Sequence, residues 1–166
     1  MNAPEITCAL VRERLNYDAE TGSFTWAKLI PHCRFKVGDM AGSITRQGRW
    51  QISLYGRPYA AHRLAWLYVH GEWPSDFVDH INGNPLDNRL SNLRVAPASV
   101  NMQNQRRAHA DAKVNALGVD SDRPGRYRAK IVVGGKPKYL GRFKSAEEAS
   151  AVYLEAKRRL HAGCTI

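Results

Sequence analysis

Cysteine is scarce: three in 166 residues, Cys8, Cys33 and Cys164, an odd and scattered set. That argues against a disulfide scaffold and fits a reducing cytoplasm. No Cys-x-x-Cys occurs, which removes the usual cysteine-built zinc site. No stretch approaches the roughly 18 consecutive apolar residues of a membrane-spanning helix. The N-terminal MNAPEITCALVRERL lacks the basic start and apolar run of a secretory signal. No repeat or low-complexity tract stands out. Acidic residues are also under-represented, 15 against 25 Lys and Arg, giving a net charge of +10 and a pI near 9.9. Such an excess says little about fold but favours a polyanionic partner, DNA or RNA first and an anionic membrane surface as the rival. What is present is enough for a globular core: 43% of residues are apolar. The length fits one domain or two small ones.

The positive charge is concentrated. Residues 1–105 hold 11 basic and 9 acidic side chains, whereas residues 106–166 hold 14 and 6. A net of +2 followed by +8 points to a basic module in the last third, with a linker at about 108–115. The first 60 residues read as short strands and turns. Asp18-Ala19-Glu20-Thr21-Gly22 turns into a strand at Ser23–Trp26. Trp50–Tyr55 alternates and turns through Gly56-Arg57-Pro58 into Tyr59–Ala61, a hairpin. Residues 61–70 carry Ala61, Leu64, Ala65 and Tyr68 at helical spacing, with Gly71 suited to end the helix.

Residues 72–107 pack three Asn-rich turns between two short apolar strands, Phe77-Val78 and Leu93–Val95. A helix is expected from Pro97 to about Arg107. Strand, loop, strand and helix in so few residues leave little core, so the polar residues either satisfy loop backbone or do chemistry. Asp79-His80, Asn88, Asn92 and Asn101 stand out. An acid beside a histidine, followed by two Asn around a loop and one on a helix, suits metal-assisted phosphodiester hydrolysis. Histidine titrates near neutrality and can deprotonate water. Carboxylate and amide oxygens suit a hard divalent cation, which neutralises charge on the leaving oxygen. Asn88 and Asn92 are equally suited to holding loop backbone. His62 has two readings, lining the site or packing beside Trp66. Asp79 and His80 are neighbours on a strand and would face opposite ways, so sharing a site requires the strand to end or bend there.

The segments Asp79–Asn84, Asn88–Arg94 and Pro97–Asn101, with the upstream Ala61–Ala65, resemble the HNH endonucleases of phage homing type over residues 60–107. The resemblance implies a ββα-metal unit. It implies His80 as general base, Asp79 and Asn101, 22 positions apart, as metal ligands, and Asn92, 12 positions after His80, as the middle Asn that orients the loop and the histidine. Many members have His at the third position; Asn101 makes this the H-N-N variant and favours Mg²⁺ or Mn²⁺ over Zn²⁺.

Residues 116–163 read as three short strands and a helix. Residues 116–119 precede a turn at 122–125. Arg126–Val133 alternates, Gly134-Gly135 turns, and Lys136–Phe143 follows. Ser145 with Glu148 forms a capping box, and Ala149, Val152, Tyr153, Ala156 and Leu160 line one face of the helix. Arg126, Arg128 and Lys130 share one strand face, free to enter a DNA groove if the helix covers the other. Arg123, Lys136, Lys138 and Arg142 are expected to join that basic region. Gly118-Val119, Tyr127–Ile131, Tyr139–Phe143, Ala146–Ala149 and Ala151–Tyr153 resemble the Apetala or ethylene-response-factor type of DNA-binding domain. Leu117 stands where plant members have Arg, so base preference does not carry over.

The expectation is therefore an α+β chain. Residues 1–107 form a nuclease domain, with N-terminal β-hairpins over 1–60 and the entry helix and ββα-metal core over 61–107. Residues 116–166 form a three-stranded antiparallel sheet packed on one helix. It would be an Mg²⁺- or Mn²⁺-dependent endonuclease of the site-specific nicking or homing kind acting on double-stranded DNA, with a monomer favoured, in the cytoplasm of a phage-infected or prophage-carrying bacterium. One site acting as a monomer would nick one strand, and a double-strand break would need two sites or two visits. The alternatives are a sequence-specific DNA-binding regulator with an inactive nuclease unit and, on charge alone, an RNA-binding accessory protein.

Overall fold

A computed structural model describes residues 4–29, 34–104, 108, 112–123, 125–161 and 164. The expected end of the third helix (105–107) and part of the expected link (109–111) lie outside the described residues, as do His32, Cys33 and Pro124. The chain forms two compact units, Met1–Ala96 and Pro97–Ile166. The division falls ahead of the expected link at 108–115. Among the described residues no helix is long and apolar enough to cross a membrane.

The first unit is mixed, with small antiparallel sheets. Helix α1 (Cys8–Arg14) starts at Thr7, whose hydroxyl accepts from Leu10 N, and feeds directly into β1 (Leu15–Tyr17). Strand β1 pairs with β2 (Phe24–Trp26) through the turn expected at Asp18–Gly22. Asp18 organises that turn, accepting from the amide of Glu20 and the hydroxyl of Thr21. A three-stranded sheet follows: β3 (Ser43–Ile44), β4 (Trp50–Leu54) and β5 (Arg57–Ala60). The β4–β5 turn is two residues, not the three expected. Tyr55 and Gly56 both sit at positive φ, 51° and 76°, the backbone that the right-handed twist of a tight hairpin demands. Arg57 and Pro58 are thereby drawn into the strand.

Helix α2 (Ala61–His70) ends where expected, with Gly71 in the left-handed conformation and its amide bonded to Leu67 O. Its buried face, Ala61, Leu64, Ala65 and Leu67, joins Val11, Leu15, Phe24, Ile52 and Leu54 in one core. This core carries β6 (Phe77–His80) and β7 (Leu93–Ala96), which pair with Asp79 opposite Arg94 and His80 opposite Leu93. A single 3-10 turn, Leu90–Asn92, precedes β7.

The second unit opens with the six-residue α3 (Ala98–Gln103), for which Pro97 is the cap rather than the first helical residue. Strands β8 (Val119–Arg123), β9 (Arg126–Val133) and β10 (Lys136–Phe143) form an antiparallel sheet with β9 central. Helix α4 (Ala146–Leu160) is capped by Ser145 Oγ, which accepts from Glu148 N, and packs chiefly on β9. Ala129, Ile131 and Ala149 are fully buried between them. Two details depart from the expected helix face. Leu160 is exposed, whereas Lys157 is buried, its long apolar stem serving as packing surface. His161, assigned nothing from sequence, bonds Val132 O at 2.7 Å and ties the helix end to the sheet.

Candidate functional site

The register of β6 and β7 gives each of the two neighbours its own cross-strand partner. Asp79 and Arg94 are cross-strand partners and share a face. Arg94 Nε and Nη2 both donate to Asp79 Oδ2, at 3.1 and 2.8 Å. The carboxylate is buried, its side chain only 8% exposed, and a buried charge requires such a partner. Strand β6 ends at His80, where Gly83 N bonds back to His80 O and Ile81 N bonds Asn92 O. The imidazole stands at the strand's end.

There it meets Asn88. His80 Nε2–H donates to Asn88 Oδ1 at 3.1 Å. A carbonyl oxygen can only accept, so Nε2 carries the proton, and in the neutral ring the basic lone pair lies on Nδ1. Burial pushes the His80 pKa below the ordinary histidine value, opposed by Asn88, Asp79 and Asp87 and assisted by the charge of Arg49. His62 stands edge-on to His80, ring centroids 5.1 Å apart. Burial first, then His80, Arg49 and Arg63, push its pKa down to about 4. At neutral pH both rings are therefore uncharged.

Asn88 is itself buried, 3% exposed, and is held from the N-terminal hairpin. Tyr17 Oη donates to Asn88 O at 2.7 Å; burial, Asp18 and Asp87 push the Tyr17 pKa up to about 12, so the hydroxyl keeps its proton. Leu90 N donates to Ala19 O. Gly22, at φ 73°, packs so closely that a Cβ there would stand 2.4 Å from Arg89 N and 2.5 Å from Asn88 C. The first hairpin is thus a wall against which the 82–92 loop is pressed.

Asn92 organises the loop rather than touching the imidazole. Its Oδ1 accepts from Asn82 N at 2.9 Å, and its Nδ2 donates to Asn82 Oδ1 and Asp87 O. Asp87 in turn holds Arg89, which lowers the Asp87 pKa to about 2. Asn101 lies on α3 in the second unit. Among the described residues no group of three His, Cys, Asp or Glu is gathered as a metal cluster. The expected donor set contains only one carboxylate, with Asn101 as its partner.

The structure thus brings His80 together with Asn88 and His62, and pairs Asp79 with Arg94 across the β6–β7 ladder. Sequence reasoning missed Arg94 altogether and left Asn88 and His62 open. The alternation of β7 against β6 was the signal for Arg94.

In the second unit, Arg123 pairs with Arg126 and Arg142 with Arg128, on the face away from α4 with Lys130. Lys136 and Lys138 pair with Val133 and Ile131. They therefore lie on the opposite, helix-side face, a correction to the single basic region expected, set by the register shift between Tyr139 and Gly141 that puts Arg142 on the other face. Arg128 is partly neutralised by Asp120 at 3.1 Å. Val132 and Tyr139 are exposed among the basic residues.

Residues 59–103 match the family described as HNH endonuclease. An "Uncharacterized HNH endonuclease L560" of Acanthamoeba polyphaga mimivirus is 29% identical over 119 residues, covering 66% of this chain and 61% of its own length. "Protein 3.8" of Escherichia phage T7 is 28% identical over 102 residues, covering 60% of this chain and 83% of its own. No solved structure matches. The chain is thus similar to HNH endonucleases over residues 59–103, where the family match stops, and is similar to viral proteins over a longer stretch.

Proposed function

We propose that this chain is a divalent-metal-dependent DNA endonuclease in which His80 is the general base, of the nicking or homing kind. The observation that carries the reading is the Asn88–His80 bond inside the matched segment. It holds a neutral imidazole with its basic lone pair on Nδ1, which is what deprotonation of an attacking water requires. Asn92 would act through the loop, keeping the turn after β6 in place, and Asn88 through the imidazole itself.

By the resemblance, Asp79 and Asn101 would be the metal donors, and a carboxylate with an amide oxygen suits a hard cation, Mg²⁺ or Mn²⁺. A carboxylate has about four acceptor positions, so serving both Arg94 and a cation is compatible with its chemistry. When bound, such an ion supplies charge neutralisation at the scissile phosphate and leaving oxygen. Hydrolysis in this manner leaves 5′-phosphate and 3′-hydroxyl ends. One site acting as a monomer nicks a single strand.

We also propose that the β8–β10 face bearing Arg123, Arg126, Arg128, Lys130 and Arg142 binds duplex DNA, in the manner of the Apetala or ethylene-response-factor type that the second unit resembles. A three-stranded sheet covered on one side by a helix and basic on the other supports this reading.

The test is nicking of supercoiled plasmid and phage DNA with Mg²⁺, Mn²⁺ or EDTA. Metal-dependent nicking that falls by about 10²–10⁴-fold in His80→Ala is expected. Unchanged nicking in that variant would remove His80 as the base. Tight duplex binding without nicking on any substrate would favour a regulator.

A further inference from the structure

The first unit holds a cavity of about 470 Å³, lined by residues of β2, β3 and β4 and the segments beside them. It lies in the range of small-ligand sites, and the reaction proposed above does not use it. Its chemistry is specific. Trp26 and Phe35 stack with centroids 6.0 Å apart, and Tyr55 lines the cavity as well. Each aromatic side carries a guanidinium: Arg34 lies 5.0 Å from the Phe35 centroid and Arg14 lies 5.2 Å from that of Tyr55. Lys28, ion-paired with Glu13 at 2.7 Å, adds a third cation, and among the described residues no Asp or Glu lines the space. The odd-numbered residues of β4, Gln51 and Ser53, supply polar groups along one wall, while Ile52 turns into the core and the buried Leu54 adds apolar lining at the strand's end. Trp26 Nε1 is buried with no hydrogen-bond partner among the described residues. A buried donor left without a partner is costly.

Flat aromatic surface, cations and the lack of carboxylates select a ligand that is planar at one end and anionic at the other. A nucleotide has that form, and stacking on aromatic side chains requires its base to be out of the duplex. We propose that this cavity takes one unpaired nucleotide, its base against the Trp26–Phe35 pair and its phosphate toward Arg14 and Arg34. The first unit then distinguishes locally opened DNA from fully paired DNA, independently of the basic sheet in the second unit.

The test uses the full chain carrying His80→Ala in EDTA, so that cleavage plays no part and failure of the nuclease reading leaves the outcome interpretable. Binding of three labelled DNAs is measured by anisotropy: a dT oligonucleotide, a duplex with a single unpaired nucleotide, and the same duplex fully paired. Free dTMP, followed by tryptophan emission, forms a separate arm. Phe35→Ala is expected to weaken the dT strand and the bulged duplex by at least about fivefold and the paired duplex by less than twofold. Arg34→Ala, at an exposed residue outside any helix or strand, is expected to reduce the salt slope for the dT strand by about 0.7. An unchanged far-ultraviolet circular dichroism spectrum checks that each variant folds. If dTMP binds and its binding is lost in Phe35→Ala, the ligand is a free nucleotide; if only the oligonucleotides respond, it belongs to a strand. Either result supports a nucleotide site. Equal weakening of paired and unpaired DNA, or no change for dTMP and both unpaired DNAs in Phe35→Ala, would overturn it.

Discussion

Asn88 Oδ1 stands 3.1 Å from His80 Nε2 and decides which nitrogen of that ring carries the proton. The two are eight positions apart, across a loop of Asn, Gly and Pro that has no periodicity to announce the contact. Removing the oxygen leaves the ring free to take either tautomer. Asn88→Ala should slow metal-dependent nicking about tenfold, the loss of one net hydrogen bond, with little change in duplex affinity. Asn88→Asp supplies a second check, because a carboxylate there favours imidazolium. Its acid limb in the pH–rate profile should move to higher pH than that of wild type. Superimposable limbs would show that Asn88 does not act on His80.

His62 gives the first unit a dependence on acid. Its pKa is about 4, pushed down first by burial, against about 6.5 in the unfolded chain. Between those values the unfolded state binds the proton and the folded state does not, so stability falls as pH drops from about 6.5 toward 4. The loss is on the order of 3 kcal/mol at most. All four tryptophans, Trp26, Trp50, Trp66 and Trp73, lie in this unit, so their emission in urea follows it alone. His62→Gln should flatten the midpoint against pH over that window. A slope equal to wild type would assign the acid sensitivity elsewhere.

Gly22 tests the wall behind the loop. A Cβ at φ 73° is strained in itself, and here it would meet backbone of Asn88 and Arg89 at 2.5 Å or less. Gly22→Ala should destabilise the first unit by about 2–4 kcal/mol and lower nicking together with stability. Gly48, also at positive φ, has nothing within 4 Å of its Cβ position. Gly48→Ala should therefore cost only about 1–2 kcal/mol and spare nicking. Thermal unfolding and nicking rates on both variants separate strain alone from displacement of the loop.

The two faces of the second sheet are predicted to behave differently. Arg126→Ala and Lys130→Ala should each reduce the slope of log affinity against log salt for duplex DNA by about 0.9. Lys138→Ala, on the helix-side face, should leave it unchanged. Arg128→Ala should give a smaller change than Arg126→Ala, since Asp120 already takes part of its charge. Equal effects from Lys138 and Arg126 would mean that the sheet does not present a single DNA-facing side.

Helix α2 was legible because its apolar spacing and Gly71 report the same boundary, and β9 because arginine and lysine alternate with buried residues. The basic strand face followed from that alternation alone. The membership of Lys136 and Lys138 did not, because it depends on the register of β10 against β9, set by the Gly134-Gly135 turn and an irregularity at Tyr139/Gly141. Strand β1 and helix α1 are too short to show a period. Asp79 and His80 were singled out by their type and order. Their separation, one to Arg94 and the other to Asn88, is decided by contacts across the β6–β7 ladder and the loop, which no local pattern carries.

The stretch that matches the endonuclease family is shorter than the piece that can hold its own shape. Residues 59–103 contain His80 and Asn88, but the hydroxyl, the carbonyl and the bare α-carbon that brace the loop come from Tyr17, Ala19 and Gly22. Grafting the matched stretch onto another scaffold would transplant the imidazole without its foundation. A transplant that begins upstream of α1 would carry both.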